Sequence, residues 1–405
     1  MLKYLIALML IIHSFGDAVA KKNTSFQIGP KSSDEYVKKE APNPKIGNGS
    51  TKLSVIVPVM DPNLPKDSDD YQKLSIWPEL RYAEANRFAR QLKVSLDKTG
   101  AFDGVRVFPD ASAAAGLYIL GKILKSNGED VNLEIVVIDI SGKQRMKKVF
   151  KNRIKEYDVA NPRNKGKDLY ISSFDSMAKA IAKSLKKIKQ KDLAKLDMLE
   201  TLRFGESMSA NYFSKFLKTS RSGKVSVAYA PAQSDPMLLN LEAVRIKDQL
   251  FSDQLQGDYA KFSAKMDESY SVWQEQAFAI SKQRRLAKAA ANKKALLGVG
   301  ALIAGAVVQA NANAASVTGT AATSLLAAGG AVAIFDSFKD QSQAKKHKNA
   351  LNELGGQLNL EMATKNIKLE NELVNLQGTA AEQAATWRSV LREYYLETAT
   401  PNVDL

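Results

Sequence analysis

Residues 116–151 read GLYILGKILKSNGEDVNLEIVVIDISGKQRMKKVFK, and this stretch decides the fold class. Two runs of alternating or wholly apolar residues flank Asn127-Gly128. That dipeptide tolerates the positive φ angles that close β-hairpins. Ser141-Gly142 then marks a second turn, into a third strand crowded with Lys and Arg.

Working outward, KLSVIVPVM (residues 52–60) is a short apolar strand followed by the loop DPNLPKDSDD. Residues 76–100 predict a helix: Pro78 suits its first turn, Ala85, Phe88, Leu92 and Leu96 share a face, and Gly100 ends it. VRVFP is another short strand. Residues 52–155 therefore predict a β-α-β-β-β-β domain of the α+β class, one main helix on a sheet. Over residues 50–155 this order resembles the small α/β modules of bacterial outer-membrane secretion and assembly factors, the curli secretion lipoprotein and the N-terminal module of TolB among them. The resemblance is one of element order and carries over no site residues.

Beyond a linker near YDVANPRNKGKD the chain reads as mostly helical over residues 168–292. Residues 171–204 carry Phe174, Met177, Ile181, Leu185 and Ile188 at helical spacing, with a Lys-rich opposite face. SANYFSKFLK predicts a short helix and VSVAYAPA a short extended stretch. A long helix is predicted over residues 236–292, with Asp235 as N-cap and Pro236 as its first residue. Its stripe runs through Leu241, Val244, Phe251, Leu255, Tyr259, Phe262, Met266, Tyr270, Trp273, Ala277 and Ile280. Such a stripe packs on its own chain or pairs with another. Over residues 350–405, NIKLENELVNLQG reads as one strand with Ile367, Leu369 and Leu373 inward. A terminal helix follows, with Trp387, Val390, Leu391 and Tyr394 on one side and a Thr379–Glu382 capping box.

The 405 residues carry 58 Lys+Arg against 43 Asp+Glu, a net charge of +15 that attracts polyanions. Compartment decides which ones. Residues 1–20 hold Lys3, an apolar run over residues 4–12, and Ala18-Val19-Ala20, the pattern of a secretory signal peptide cleaved before Lys21. Residues 21–51 are polar and read as a tether. The chain has no Cys, which removes disulfides and a Cys-linked lipid anchor. These features predict a membrane-associated periplasmic protein. Its expected partners are anionic head groups, with envelope proteins, further copies of itself or acidic glycan as others, and no nucleic acid.

Residues 293–338 predict an Ala/Gly-rich apolar helical hairpin, free of Asp, Glu, Lys and Arg from Ala295 to Phe335. Small residues line one side of each arm: Gly298, Ala301 and Gly305 in the first, Thr323, Ala327 and Ala331 in the second. Such faces let helices approach closely. Arms of about 15 residues span roughly 22 Å, against a bilayer core of about 30 Å. Basic flanks at both ends place the open end on one side, against anionic head groups if the hairpin inserts. Insertion, packing between copies and burial in a core all fit the pattern.

No chemistry-bearing motif emerges. The two His residues are His13, in the signal peptide, and His347, in a basic run read as solvated. No phosphate-binding Gly loop and no complete nucleophile elbow is present; GESMS around Ser207 fails at its last position. Asp61, Asp67, Asp69 and Asp70 cluster without a cation-ligand spacing. We expect no catalytic, cofactor or metal residues. The functional candidates are two basic faces: Lys143, Arg145, Lys147 and Lys151, alternating onto one side of a regular strand, and the helical face holding Lys183 and Lys187. The expected function is a non-enzymatic scaffold or assembly component. A glycan-processing enzyme, which would need two facing carboxylates in a pocket, and a soluble binder of anionic lipid or polysaccharide are the alternatives.

Overall fold

The computed structural model describes residues 28–30, 52–74, 76–296, 342–356, 360–369 and 372–399. The predicted signal peptide and all of the tether except residues 28–30 lie outside the described residues. So does the predicted hairpin beyond Leu296, with Gly298, Ala301, Gly305, Thr323, Ala327 and Ala331, while residues 293–296 continue the long helix.

The chain is α+β, and the N-terminal element order is the expected one with one small addition. Strand β1 (Val55–Pro58) is followed by a short helix α1 (Asp69–Leu74) in the acidic loop and by the main helix α2 (Pro78–Asp97). Strands β2 (Val105–Phe108), β3 (Leu117–Ser126), β4 (Asp130–Asp139) and β5 (Gln144–Arg153) complete a five-stranded sheet in the order β2-β1-β3-β4-β5. β1 runs parallel to both β2 and β3, and β3, β4 and β5 are antiparallel. Gly128 sits at φ 82° in the β3–β4 turn. A Cβ there would also lie 2.5 Å from the Ala277 side chain, so Gly is required twice, for conformation and for approach.

The rest is mostly helical, as read, but the predicted helix SANYFSKFLK ends at Phe216 and Leu217–Thr219 is strand, and the predicted linker near residue 157 holds a short helix. After α3 (Glu156–Ala160) come α4 (Ile171–Leu185), α5 (Gln190–Met208) and α6 (Ala210–Phe213). A two-stranded ribbon of β6 (Leu217–Thr219) and β7 (Val225–Val227) precedes α7 (Pro236–Leu296), 61 residues and about 90 Å long at 1.5 Å per residue. Helix α8 (Ser342–Leu354), strands β8 (Lys365–Leu369) and β9 (Glu372–Leu376), and helix α9 (Ala380–Ala399) end the described chain.

The two faces of the sheet are covered differently. Ile119, Ile123, Leu133, Ile135 and Val137 are wholly buried on the inner face. Helix α2 lies there, with Glu84 bonded to Ser126, and α4 packs beside it through Phe174 on Phe88, ring centroids 5.3 Å apart. On the outer face α5 and the first half of α7 lie over the β1–β2 side, where Glu200 reaches Ser54 at 2.8 Å and Arg245 of α7 pairs with Glu200, and Tyr118, Val136 and Ile138 of β3 and β4 are buried on the same face. Helix α7 crosses the β2 edge at Gln256 and continues beside α2, where Tyr270 bonds Glu84 at 2.9 Å. Its whole stripe from Leu241 to Ala277 is buried against its own chain, with Ile280 half-buried. Intramolecular packing thus accounts for the stripe; burying each large apolar side chain contributes about 1.5–3 kcal/mol.

Residues 171–204, read as helical, form two helices broken between Leu185 and Gln190. The sequence there contains no Gly or Pro; the break arises because α4 serves the inner face and α5 the outer. Residues 365–376 are two antiparallel strands rather than one, with Leu369 paired to Glu372. Leu369 and Leu376 are buried in consequence and Leu373 is 69% exposed, because the reversal puts it on the solvent side. Finally, the run that holds His347 is helical, and α8 packs on α7 and α2 rather than standing free in solvent. The predicted helix caps do form. Asp235 Oδ1 accepts from Met237 N at 2.9 Å, and Thr379 N donates to Glu382 Oε2 at 2.7 Å.

Candidate functional site

Among the described residues one side edge of the sheet is sealed. At β2 the side-chain amide of Gln256 accepts from Val107 N at 2.8 Å and donates to Val107 O at 2.9 Å, taking the place of a neighbouring strand. Arg106 is pinned there to Asp253 at 2.8 Å. Among the described residues the opposite edge, β5, pairs with β4 alone. Ten residues long and strongly basic, it fits the way proteins keep exposed edges from unwanted pairing.

The predicted alternation of Lys143, Arg145, Lys147 and Lys151 does not hold along the whole strand. A register shift between Val137 and Ile138 leaves Arg145 without a strand partner, and Lys143 precedes the strand, in the turn. Arg145 instead binds the fully buried Asp139, which also accepts from Ser141 N at 2.9 Å and Lys143 N at 3.2 Å. Arg145 is therefore a structural residue that locks the turn. Lys147 and Lys151 do share the outer face, paired in register with Val136 and Asn132. Lys147 lies 3.3 Å from Glu134, whereas Lys143 and Lys151 make no ion pair among the described residues. Lys148 is on the inner side, over the Phe150 ring at 4.8 Å. Beside the lysines the outer face exposes Val149 (38%) and Leu124 (39%).

The second cluster sits on α4, which packs against β5 from the inner side. Lys179, Lys183 and Lys187 are exposed and make no ion pair among the described residues. The structure thus puts the two clusters on either side of one free edge, not on one face.

Ionisable groups that the sequence did not single out are gathered elsewhere. Between α2, α4 and α7, Arg87 is 2% exposed and bonds Asp168 at 3.1 Å and Asp267 at 2.5 Å, with its guanidinium 4.6 Å from the Tyr270 ring centroid. Next to it Glu84 is fully buried. Desolvation pushes its pKa up, against the lowering by Arg81, Ser126 and Tyr270. These groups bind one another across three helices and a strand, with Asp267 at the solvent side of the cluster.

A cleft does form on the outer face, between β1, β2, α5 and α7, and two carboxylates line it. Glu200 is held by Ser54 and Arg245, and burial raises its pKa. Asp248 is pushed up to about 6 by desolvation, while Arg388, Arg245, Arg106 and the Trp387 indole favour its charged form. This is the carboxylate pair that a glycan-processing enzyme would require. Its free volume is about 30 Å³, room for a water or two and too little for a sugar ring, and Arg245 serves both acids. His347 is half-buried with Nδ1 3.2 Å from Ser269 Oγ. That pair lies between two packed helices, and no carboxylate bonded to the imidazole appears among the described residues. In the acidic loop Asp67 accepts from Asp69 N at 2.9 Å and Asp61 pairs with Lys122 at 3.3 Å; no metal-binding group of three ligands occurs among the described residues.

No family model, curated protein or solved structure matches the chain.

Proposed function

We propose that the protein is a non-enzymatic component of a bacterial envelope, exported to the periplasm, that holds to a membrane surface and scaffolds other molecules there. The observation that carries this reading is the free β5 edge, flanked by Lys143 and Lys151 on one side and by Lys179, Lys183 and Lys187 on the other, all without acidic partners among the described residues. Cations left unneutralised on both flanks of an open edge suit a flat anionic surface better than a small ligand. Helix α7 supports the same reading, since it carries Lys288 toward the apolar stretch from Ala295 to Phe335, Arg285 being held by Glu129. No helix among the described residues is long and apolar enough to cross a membrane. The apolar stretch would add depth to an attachment that charge initiates. The element-order resemblance of residues 50–155 to envelope assembly modules points the same way.

Vesicle flotation tests the proposal. The protein should float with phosphatidylglycerol-containing vesicles and not with neutral ones, and binding should weaken steeply with salt. The pair Lys147→Glu and Lys151→Glu should weaken it further, and deletion of residues 295–335 should leave only salt-sensitive binding. Equal binding to neutral vesicles, or binding indifferent to the two reversals, overturns it.

A further inference from the structure

Three residues of the predicted tether are fixed in place. Ile28, Gly29 and Pro30 are all buried, Ile28 to 3% exposure, although 21 residues separate Pro30 from Lys52 at the start of the domain. Their backbone is read group by group. Arg203 of α5 donates to Ile28 O at 2.8 Å and to Pro30 O at 3.1 Å, and Gly29 N donates to Ala111 O at 2.8 Å. Pro30 has no N–H to satisfy, and Ile28 fills an apolar position of the main core. Gly29 stands at φ 81°, and a Cβ on it would lie 2.9 Å from Arg203 and 3.0 Å from Ile140 Cδ1. An apolar residue and a glycine are therefore selected by separate physical constraints, and a proline is accommodated at the third position.

The slot is also incomplete without its occupant. Arg203 is 8% exposed, and its Nε has no hydrogen-bond partner. Of its other acceptors Ile140 O remains, at 3.3 Å, and the half-buried Glu206 lies near. Withdrawing the segment would leave the guanidinium with one protein carbonyl in place of three and strip the apolar anchor from the slot, which peptide oxygens and an apolar side chain restore. Residues 28–30 are the described residues of the tether, and the 22 peptide steps from Pro30 to Lys52 reach up to about 75 Å when extended. One copy's segment can therefore enter another copy's slot without unfolding either domain.

We propose that the Arg203 slot is a peptide-binding site for a backbone of the form apolar–Gly–Pro, occupied in cis by residues 28–30 and open to the same segment of a second copy when its own is withdrawn. The mechanism of exchange is the loss of two charge-assisted hydrogen bonds and one apolar anchor in one chain and their remaking in another.

The test uses the full chain. Ile28→Asp empties the slot, and Arg203→Met disables the slot while leaving an intact segment. A fluorescent peptide of residues 24–33, TSFQIGPKSS, should bind the Ile28→Asp chain saturably and the unmodified chain at least tenfold more weakly, because its slot is filled. The same peptide with Gly29→Val should not bind. Mixed together, the Ile28→Asp and Arg203→Met chains should form a 1:1 complex by light scattering that neither forms alone. In the unmodified chain, whose folding is not in question, the Gly29 amide should be slow to exchange hydrogen and should speed up with excess free peptide. Equal binding of the peptide to filled and emptied chains, binding of the Gly29→Val peptide, or Gly29 exchange that ignores added peptide would overturn the proposal.

Discussion

The side chain of Gln256 bonds both backbone polar groups of Val107, at 2.8 and 2.9 Å, so that one glutamine closes the β2 edge as a strand would. Removing it leaves an N–H and a C=O in a partly buried place with no partner. Gln256→Ala should cost about 1–3 kcal/mol. Urea denaturation measures that loss, and hydrogen exchange should show Val107 N–H losing protection before the central strands do. Gln256→Glu, which keeps the acceptor and loses the donor, should fall between the two.

Arg145 and Lys151 separate structure from surface. Both are basic residues of one strand, yet Arg145 is spent on buried Asp139 and Lys151 makes no ion pair among the described residues. Arg145→Ala should destabilise on the order of 1–3 kcal/mol. Lys151→Ala should change stability by less than about 0.5 kcal/mol and weaken only anionic-surface binding. A thermal melt of each variant, set beside its vesicle affinity, decides the matter; similar melting losses would contradict the assignment.

At the far end of α8, a Cβ on Gly355 would sit 1.8 Å from the carbonyl oxygen of Glu79. Backbone meets backbone there, so no rotamer change relieves the collision. Trp77 Nε1 bonds Asn352 Oδ1 at 2.9 Å in the same joint. Gly355→Ala should force α8 away from α2 and cost about 1–3 kcal/mol as overpacking does, with a change in Trp77 fluorescence. Gly257 on α7, with nothing near its missing Cβ, is the control: Gly257→Ala should be neutral or stabilising by up to about 1 kcal/mol.

Stability should depend on Asp248 in the acid range. Its folded-state pKa is raised to about 6 by burial, above the ordinary carboxylate range. Between that range and pH 6 the folded protein keeps a proton that the unfolded chain releases, so this group makes stability fall as pH rises through the window. Glu84 and Glu200, raised by burial, add in the same direction. Asp130 opposes them: burial raises its pKa, but hydrogen bonds from Arg153 and Lys125 outweigh that and hold it low. Asp248→Asn should flatten the melting temperature between pH 4 and 6.5. An unchanged profile would mean that the three arginines around it keep it ionised throughout.

Much of the fold was legible because it is local. Apolar runs around Asn127-Gly128 gave the hairpin, Pro78 and Gly100 gave the limits of α2, and Asp235-Pro236 gave the start of α7. Each rests on backbone preference or on a period that a few adjacent residues express. The long stripe of α7 told which residues would be covered, and from Leu241 to Ala277 they are buried in their own chain, with Ile280 half-buried. The basic character of β5 was equally plain, since charge is a property of composition.

Only the tertiary structure decided what lies opposite each of those residues. The break at 186–189 carries no Gly or Pro because its cause is the passage from one face of the sheet to the other. Leu373 faces out because a strand reverses, and Arg145 left the binding surface because one register shift turned it onto a buried aspartate. Gln256 on Val107, Arg87 on Asp168, and Arg203 on Ile28 and Pro30 join residues more than 80 positions apart. A sequence fixes local periods and the number of charges. It does not say which distant group will satisfy a buried polar atom, because that pairing is settled only when packing removes the water that would otherwise serve.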